Sequence, residues 1–544
     1  MRSAFHLSRF LRAPKCALRH AVVCVAAMLL SALCLHAQTD LTGSWVLKTP
    51  RGDGSLCESF FELKQSGETI TGSKVNLFGR VGTPISDGTL HAGKLHFAVD
   101  STGRGRPAGA SKPAATIYDG VLADGKFVLT VTGRQEEPGG TVTGELERTA
   151  RLARLPLPPL RDLPASGLAP TPPMGWNSWN KFAGDIDDKT VREIADAMVS
   201  SGMKQAGYLY VNLDDTWEGE RDAAGNITSN NRFPDMKALA DYVHSRGLKI
   251  GIYSTPGPRT CEGYEGSHGY EQQDARTFAG WGFDYLKYDW CTASGIYDDS
   301  EAQAVFQKMG ESLVASGRPM VYSLSYSIFE IWKIGPKVGA DLWRTSDDIR
   351  NNWEAVDQIG FGPRVPKAPG QAGQPRPLGL TQYDIAGASG IGRWNDPDIL
   401  EVGNGRLSAD ESRAHFSLWC LLRAPLIAGN DLREMTEETR SILTNREAIA
   451  VDQDPAALPL KRVSQSESSV VYMRPLQGGD LAVGLFNRGA AAAEMKVTWD
   501  SLGLAGKKLE VRDLWKHQAV PVRKDGYTGT VPSHGVVLLR VTSR

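Results

Sequence analysis

Asp284-Tyr285-Leu286-Lys287-Tyr288-Asp289-Trp290-Cys291 is a short apolar run that ends by presenting a lysine and an aspartate. Side chains alternate faces along an extended chain, so Tyr285, Lys287 and Asp289 share one side. An ammonium two residues before a carboxylate favours the ionised form by proximity of opposite charge. An ionised carboxylate at the mouth of a strand can attack an electrophilic carbon. A lone Lys-x-Asp is more often a structural ion pair at a strand end, so its weight depends on what surrounds it along the chain.

Similar strand-like runs recur at 174–179, 208–213, 248–253, 284–288, 320–324, 341–345, 398–402 and 426–429. Helical patterns fall between the early ones, with Val191, Ile194, Ala195 and Met198, then Met236, Leu239, Ala240 and Val243, spaced to share a face. Gly247 follows the second pattern as a stop signal. Alternating units of this kind predict a parallel sheet covered by helices, and about eight strands over 172–455 fit a (β/α)8 TIM barrel better than an open sheet. That fold carries its site at the carboxyl ends of the strands. The polar residues follow this rule: Trp176-Asn177-Ser178-Trp179, Asp214 and Asp215, Tyr253, Lys287 and Asp289, Ser325, Arg344 with Asp347 and Asp348, then Asp396 and Asp398. Core packing does not call for carboxylates at so many successive strand ends. Acids between tryptophan and tyrosine walls suit a neutral polyol, offering acceptors for hydroxyls and a flat surface for the C–H face of a sugar ring.

The flanks set the context. The chain has 544 residues and a formal net charge of -1, which gives no electrostatic reason to bind nucleic acid or an anionic membrane. Arg2, Arg9, Arg12, Lys15 and Arg19 precede an apolar run at 21–35, so 1–38 reads as a secretory signal peptide and the protein as exported, periplasmic or extracellular. No membrane association beyond that export is expected. Of the cysteines that remain, Cys57, Cys261, Cys291 and Cys420, the middle two lie just beyond predicted strands where they can meet, and no Cys/His spacing suggests zinc. Residues 39–150 show short alternating segments broken by glycine, a small all-β domain, sandwich or barrel, of unknown role. A proline-rich stretch, 151–171, reads as a stiff linker.

Pro173-Met174-Gly175-Trp176-Asn177-Ser178-Trp179, Asn212-Leu213-Asp214-Asp215-Thr216-Trp217, Gly251-Ile252-Tyr253 with Cys261, Lys287-Tyr288-Asp289-Trp290-Cys291, Trp343-Arg344-Thr345-Ser346-Asp347-Asp348-Ile349 and Trp394-Asn395-Asp396-Pro397-Asp398 resemble, in order, the signatures of glycoside hydrolase family 27. The resemblance implies a C-terminal antiparallel β-sandwich, which suits the alternating segments within 456–544. It implies that Asp289 is the nucleophile and Asp348 the acid/base of a retaining mechanism, their carboxyl groups about 5 to 5.5 Å apart. Asp289 is then expected to stay charged beside Lys287, and Asp348 to have a raised pKa. Asp347 competes for the acid role, and the family's acid stands immediately before the isoleucine, which selects Asp348. Asp214 and Asp215 correspond to acceptors for the 4- and 6-hydroxyls of the sugar, Trp179 to the stacking ring, Tyr253 and Lys287 to neighbours of the nucleophile, and Arg344 to a contact with the 2-hydroxyl. Cys261 and Cys291 match a family disulfide. Asp396 and Asp398 read evenly as substrate contacts or as a turn whose side chains cap backbone groups.

The chain departs from the pattern at strand five, where many α-galactosidases carry Cys-Glu-Trp and this one has Leu324-Ser325-Tyr326-Ser327-Ile328. Ser325 resembles the N-acetylgalactosaminidases, but Ile328 is expected to crowd an acetamido group. An insertion at 362–379 is expected to rim the side that takes the rest of the substrate. The resemblance therefore implies an exo-acting α-galactosidase on α-galactoside oligo- or polysaccharides, without metal or organic cofactor. A sister specificity, for N-acetylgalactosamine or β-L-arabinopyranose, is the near alternative, and a non-catalytic sugar-binding protein the distant one. Oligomeric state is not legible.

Overall fold

A computed structural model describes residues 40–79, 81–100, 115–123, 126–133, 140–326, 330–362 and 380–544. The expected signal segment, Ile328 and 363–379 of the insertion lie outside them.

Eight parallel strands form the central curled sheet: Met174–Asn177, Tyr210–Asn212, Lys249–Ser254, Tyr285–Tyr288, Val321–Leu324, Leu342–Arg344, Trp394–Asp396 and Leu426–Ala428. The first lies between the second and the eighth, and strands two to seven follow in sequence order, the arrangement of a (β/α)8 barrel. The register brings strand ends level. Asn177 stands opposite Asn212, Tyr253 opposite Lys287, Lys287 opposite Ser323, and Arg344 opposite Asp396. Side chains at those positions therefore crowd one end of the barrel.

The seventh strand is displaced from its expected place at 398–402. Trp394–Asp396 pairs with the sixth strand, and the chain then breaks at Pro397, which has no N–H for a ladder, and at Asp398, whose φ is 105°. It re-forms only as an isolated bridge from Leu400 to Ala428 of the eighth strand. The two halves of this broken strand close the barrel between them.

The helices follow their apolar spacing. Asp188–Ser200 buries Val191, Ile194, Ala195 and Met198, and the side chain of Asp187 caps it by accepting from the Thr190 N–H. Met236–Ser245 buries Met236, Leu239, Ala240 and Val243 under an Asp235 cap. Gly247, at φ +67°, lets the chain turn out of that helix. These faces pack with Trp176, Trp217, Trp290, Trp343 and Trp419 in one continuous core.

Before the barrel, eight antiparallel strands from Gly43–Pro50 to Thr141–Arg148 close on themselves, the first pairing with the last. Trp45, Phe61, Phe97, Tyr118, Phe127 and Leu146 fill this small barrel. Closure leaves no sheet edge open. The proline-rich stretch after it is fastened along the catalytic barrel. Arg161 Nε donates to Glu311 at 2.7 Å, the Leu163 N–H to Lys337 O at 2.7 Å, and the Trp394 indole N–H to Ala169 O at 2.9 Å.

After the barrel, a six-stranded sheet and a two-stranded one enclose Val471, Val483, Leu485, Val497, Trp499 and Leu539 as a separate antiparallel β-sandwich. Among the described residues no helix is long and apolar enough to cross a membrane.

Candidate active site

Asp289 stands one residue past the fourth strand. Its backbone N–H donates to Ser254 O at 2.9 Å, extending the pairing with strand three just far enough to bring the side chain to the barrel mouth. Asp289 Oδ1 accepts from the Trp290 N–H at 2.7 Å, and Oδ2 from the Tyr253 hydroxyl at 3.1 Å.

Lys287 behaves differently from expectation. Its Nζ donates to Asp214 Oδ2 at 2.6 Å, so its direct partner is Asp214 and not Asp289. Both oxygens of Asp289 already have donors. Asp214 is turned inward by Asn177 Nδ2, which donates to Oδ2 at 2.7 Å, and by Ser178 Oγ, which accepts from the Asp214 N–H at 3.0 Å. Lys287 still lowers the Asp289 pKa through space. Burial outweighs it, aided by Asp348 and Asp214, and pushes the Asp289 carboxyl up to about 6. Such a group remains mostly ionised at neutral pH and takes up a proton in mildly acidic solution.

Asp215 lies deeper. Burial pushes its carboxyl up to about 7, although the Glu262 N–H donates to Oδ2 at 3.0 Å and the Thr216 N–H to Oδ1 at 2.7 Å.

Across the mouth, Arg344 at the end of strand six holds two acids with one nitrogen. Nη2 lies 2.8 Å from Asp398 Oδ2 and 3.2 Å from Asp348 Oδ1. Asp348 is the outermost of this group, with 92% of its side chain accessible to solvent. Asp398 also accepts from the Ile349 N–H at 2.7 Å, one residue past Asp348. Asp396 accepts from the Asp398 N–H at 2.9 Å. Both side chains cap backbone groups, Asp398 also accepting from the Ile399 N–H at 2.8 Å, and Asp398 in addition fixes Arg344 and the backbone beside Asp348. Burial carries the Asp398 carboxyl up to about 7 against the pull of Arg344.

Trp179 begins a short helix after strand one, half-buried, its N–H donating to Asn177 Oδ1 at 2.8 Å. Ser325 follows strand five and lines a small space of about 30 Å³ in the barrel lumen with Asn177, Asn212, Lys287, Arg344 and Asp398. A volume of that size accommodates one water molecule. Cys261 and Cys291 form a disulfide, tying the loop after strand three to the turn that follows Asp289. Among the described residues Cys261, Asp289 and Cys291 also form a cluster of metal-type donors, but the disulfide engages both sulfurs.

Sequence reasoning named the ring of polar strand ends, Asn177 and Asp398 among them, but not which members orient the others. Asn177 was visible only as part of a strand end. Asp398 had no sequence signal pointing to its grip on Ile349.

Residues 171–454 match the family model described as alpha galactosidase A, and residues 466–541 the alpha galactosidase C-terminal beta sandwich domain. An alpha-galactosidase A of Cellvibrio japonicus (strain Ueda107) is 42% identical over 394 residues, covering 69% of this chain and 93% of that protein. An alpha-N-acetylgalactosaminidase of Gallus gallus is 35% identical over 405 residues, covering 69% and 94%. Among solved structures, alpha-galactosidase I from Mortierella vinacea superposes with a TM-score of 0.63 at 35% identity, covering 69% of this chain and 98% of that one. Both family matches fall on the two folds described here, and the ring of carboxylates stands where the ordered motifs end their strands: the chain belongs to glycoside hydrolase family 27, the melibiases.

Proposed function

We propose that the protein hydrolyses terminal non-reducing α-D-galactosyl residues by double displacement, with Asp289 as nucleophile and Asp348 as acid/base. The observation that carries this reading is the contrast between the two acids. Asp289 is half-buried, held by the Trp290 N–H and the Tyr253 hydroxyl, and turned to the barrel mouth. Asp348 is open to solvent beside Arg344 and is felt electrostatically by Asp289. A fixed carboxylate suits attack on an anomeric carbon. A solvent-facing carboxyl group suits giving its proton to a departing oxygen and then, as the carboxylate, taking one from water. The separation of the two carboxyl groups that suits this chemistry is about 5 to 5.5 Å.

In this reading Asp214 and Asp215 accept from the hydroxyls at C4 and C6, with Trp179 as the stacking ring. Arg344 and Ser325 take the 2-substituent. Arg344 offers guanidinium donors to a 2-hydroxyl, which suits galactose. Asp215 keeps an acceptor for a C6 hydroxyl, which arabinopyranose lacks.

Purified protein assayed on nitrophenyl α-galactoside, α-N-acetylgalactosaminide and β-L-arabinopyranoside is expected to turn over the first fastest, and NMR is expected to show the α-anomer of galactose as first product. D289N should lose about 10³-fold or more in kcat, a scale set by nucleophile knockouts in other hydrolases. First release of the β-anomer, or a D289N variant with near-normal turnover, sinks the proposal. A dead D347N beside an active D348N reassigns the acid.

A further inference from the structure

The small N-terminal barrel lies outside both family matches, yet it reaches the loops around Asp289. Glu58, on the outer face of its second strand, Leu56–Ser66, has a fully enclosed side chain. Oε2 accepts from Arg259 Nε at 2.8 Å, and Oε1 pairs with Arg151 Nη1 at 3.0 Å and with Arg259 Nη2. Arg259 belongs to the loop after strand three. Its backbone N–H donates to Thr292 Oγ1 at 3.0 Å, and the same hydroxyl donates back to Arg259 O. Thr292 is the residue after Cys291, three past Asp289.

A second contact comes from the preceding turn. Arg51 Nη2 donates to Glu262 O at 2.9 Å, and the Glu262 N–H donates to Asp215 Oδ2 at 3.0 Å. Residues 77–79 form a third contact. A Cβ added at Gly295 would lie 2.8 Å from Leu77 O, and one at Gly79 would lie 3.1 Å from Ser294 O, so the two backbones are closely apposed.

We infer that the N-terminal barrel is a positioning module for the hydrolytic site, with Glu58 as a positioning residue acting through Arg259 and Thr292 on the Cys291 turn that sets Asp289. The barrel holds the loops on both sides of the disulfide, while the sugar contacts Asp214, Lys287 and Arg344 are held from within the catalytic barrel. Loss of this brace should therefore move Asp289 without emptying the sugar pocket. The inference rests on Asp289 being the nucleophile.

E58Q keeps the side chain's size and removes its charge. With full-length protein and a nitrophenyl α-galactoside, kcat should fall about tenfold, since displacement of a reacting group by under an ångström has effects of that order. The Kd for galactose by calorimetry should stay within about twofold, with the disulfide intact by thiol counting. A kcat within about twofold of wild type, or galactose binding lost in proportion to kcat, overturns the inference. An active D289N would instead sink the reading beneath it, and an inactive D289N beside an unaltered E58Q sinks only the brace. If E58Q does not fold, R259K, which keeps the charge and removes the two-nitrogen grip on Glu58, decides: a kcat loss of about threefold or more with galactose binding kept supports the brace, and an unchanged kcat overturns it.

Discussion

Burial and Lys287 act on the Asp289 carboxyl in opposite directions, burial wins, and the group settles at about 6. As a nucleophile it must be ionised, so kcat/KM should rise with pH through about 6, and activity at pH 5 should be about tenfold below the plateau. The sign of the Lys287 effect can be tested. The ammonium stabilises the carboxylate, so K287M should move this acidic limb to higher pH, besides weakening sugar binding by removing the counter-charge of Asp214. A limb that stays in place, or moves to lower pH, would mean that Lys287 does not act on Asp289 across the site. The Asp214 bond explains why the sequence misled on this point. Lys287 and Asp289 are two residues apart and share a strand face, whereas Asp214 is 73 residues from Lys287 and reaches it only once strands two, three and four are side by side.

Among the elements, the disulfide between residues 30 apart closes the loop after strand three onto the fourth strand's end. Cross-linking a loop of that length restricts the unfolded chain by about 3 to 4 kcal/mol. C261S/C291S should therefore lower the melting temperature by several degrees, and should lower kcat more than a comparably destabilising change on the outer helices. A variant that melts as wild type does would show that the bond is redundant with the contacts around it. How far the elements were legible depended on which signal set them. The helices at Asp188–Ser200 and Met236–Ser245 follow directly from apolar spacing with an aspartate cap. The seventh strand did not, because the apolar run after Asp398 resembles a strand while the true one, Trp394–Asp396, is three residues of mixed polarity ended by Pro397. The ring of polar strand ends was legible because barrel topology makes one demand on all eight strands at once. The residues that aim its members, Asn177 and Asp398, follow from side-chain geometry that no spacing rule encodes.

On the scale of the whole molecule, the small barrel and the catalytic barrel share one buried ionic cluster. Arg151 follows the last strand of the small barrel, pairing through Nη1 with Glu58 at 3.0 Å and through Nη2 with Glu265 at 2.7 Å. Glu265 also pairs with Arg221 at 2.8 Å, and Arg221 with Asp274 at 2.7 Å. Three arginines, 151, 221 and 259, thus pair directly with three acids, 58, 265 and 274. Removing one member of such a cluster leaves an uncompensated buried charge, at a cost of about 3 to 5 kcal/mol. R151M removes the guanidinium that touches both modules and keeps an apolar stem in its place. Because the barrels share the cluster, calorimetry of the wild type should show them melting in one transition, and R151M should lower that transition by several degrees. A wild type in which the N-terminal barrel melts alone at lower temperature, or an R151M that melts unchanged, would show two modules merely in contact.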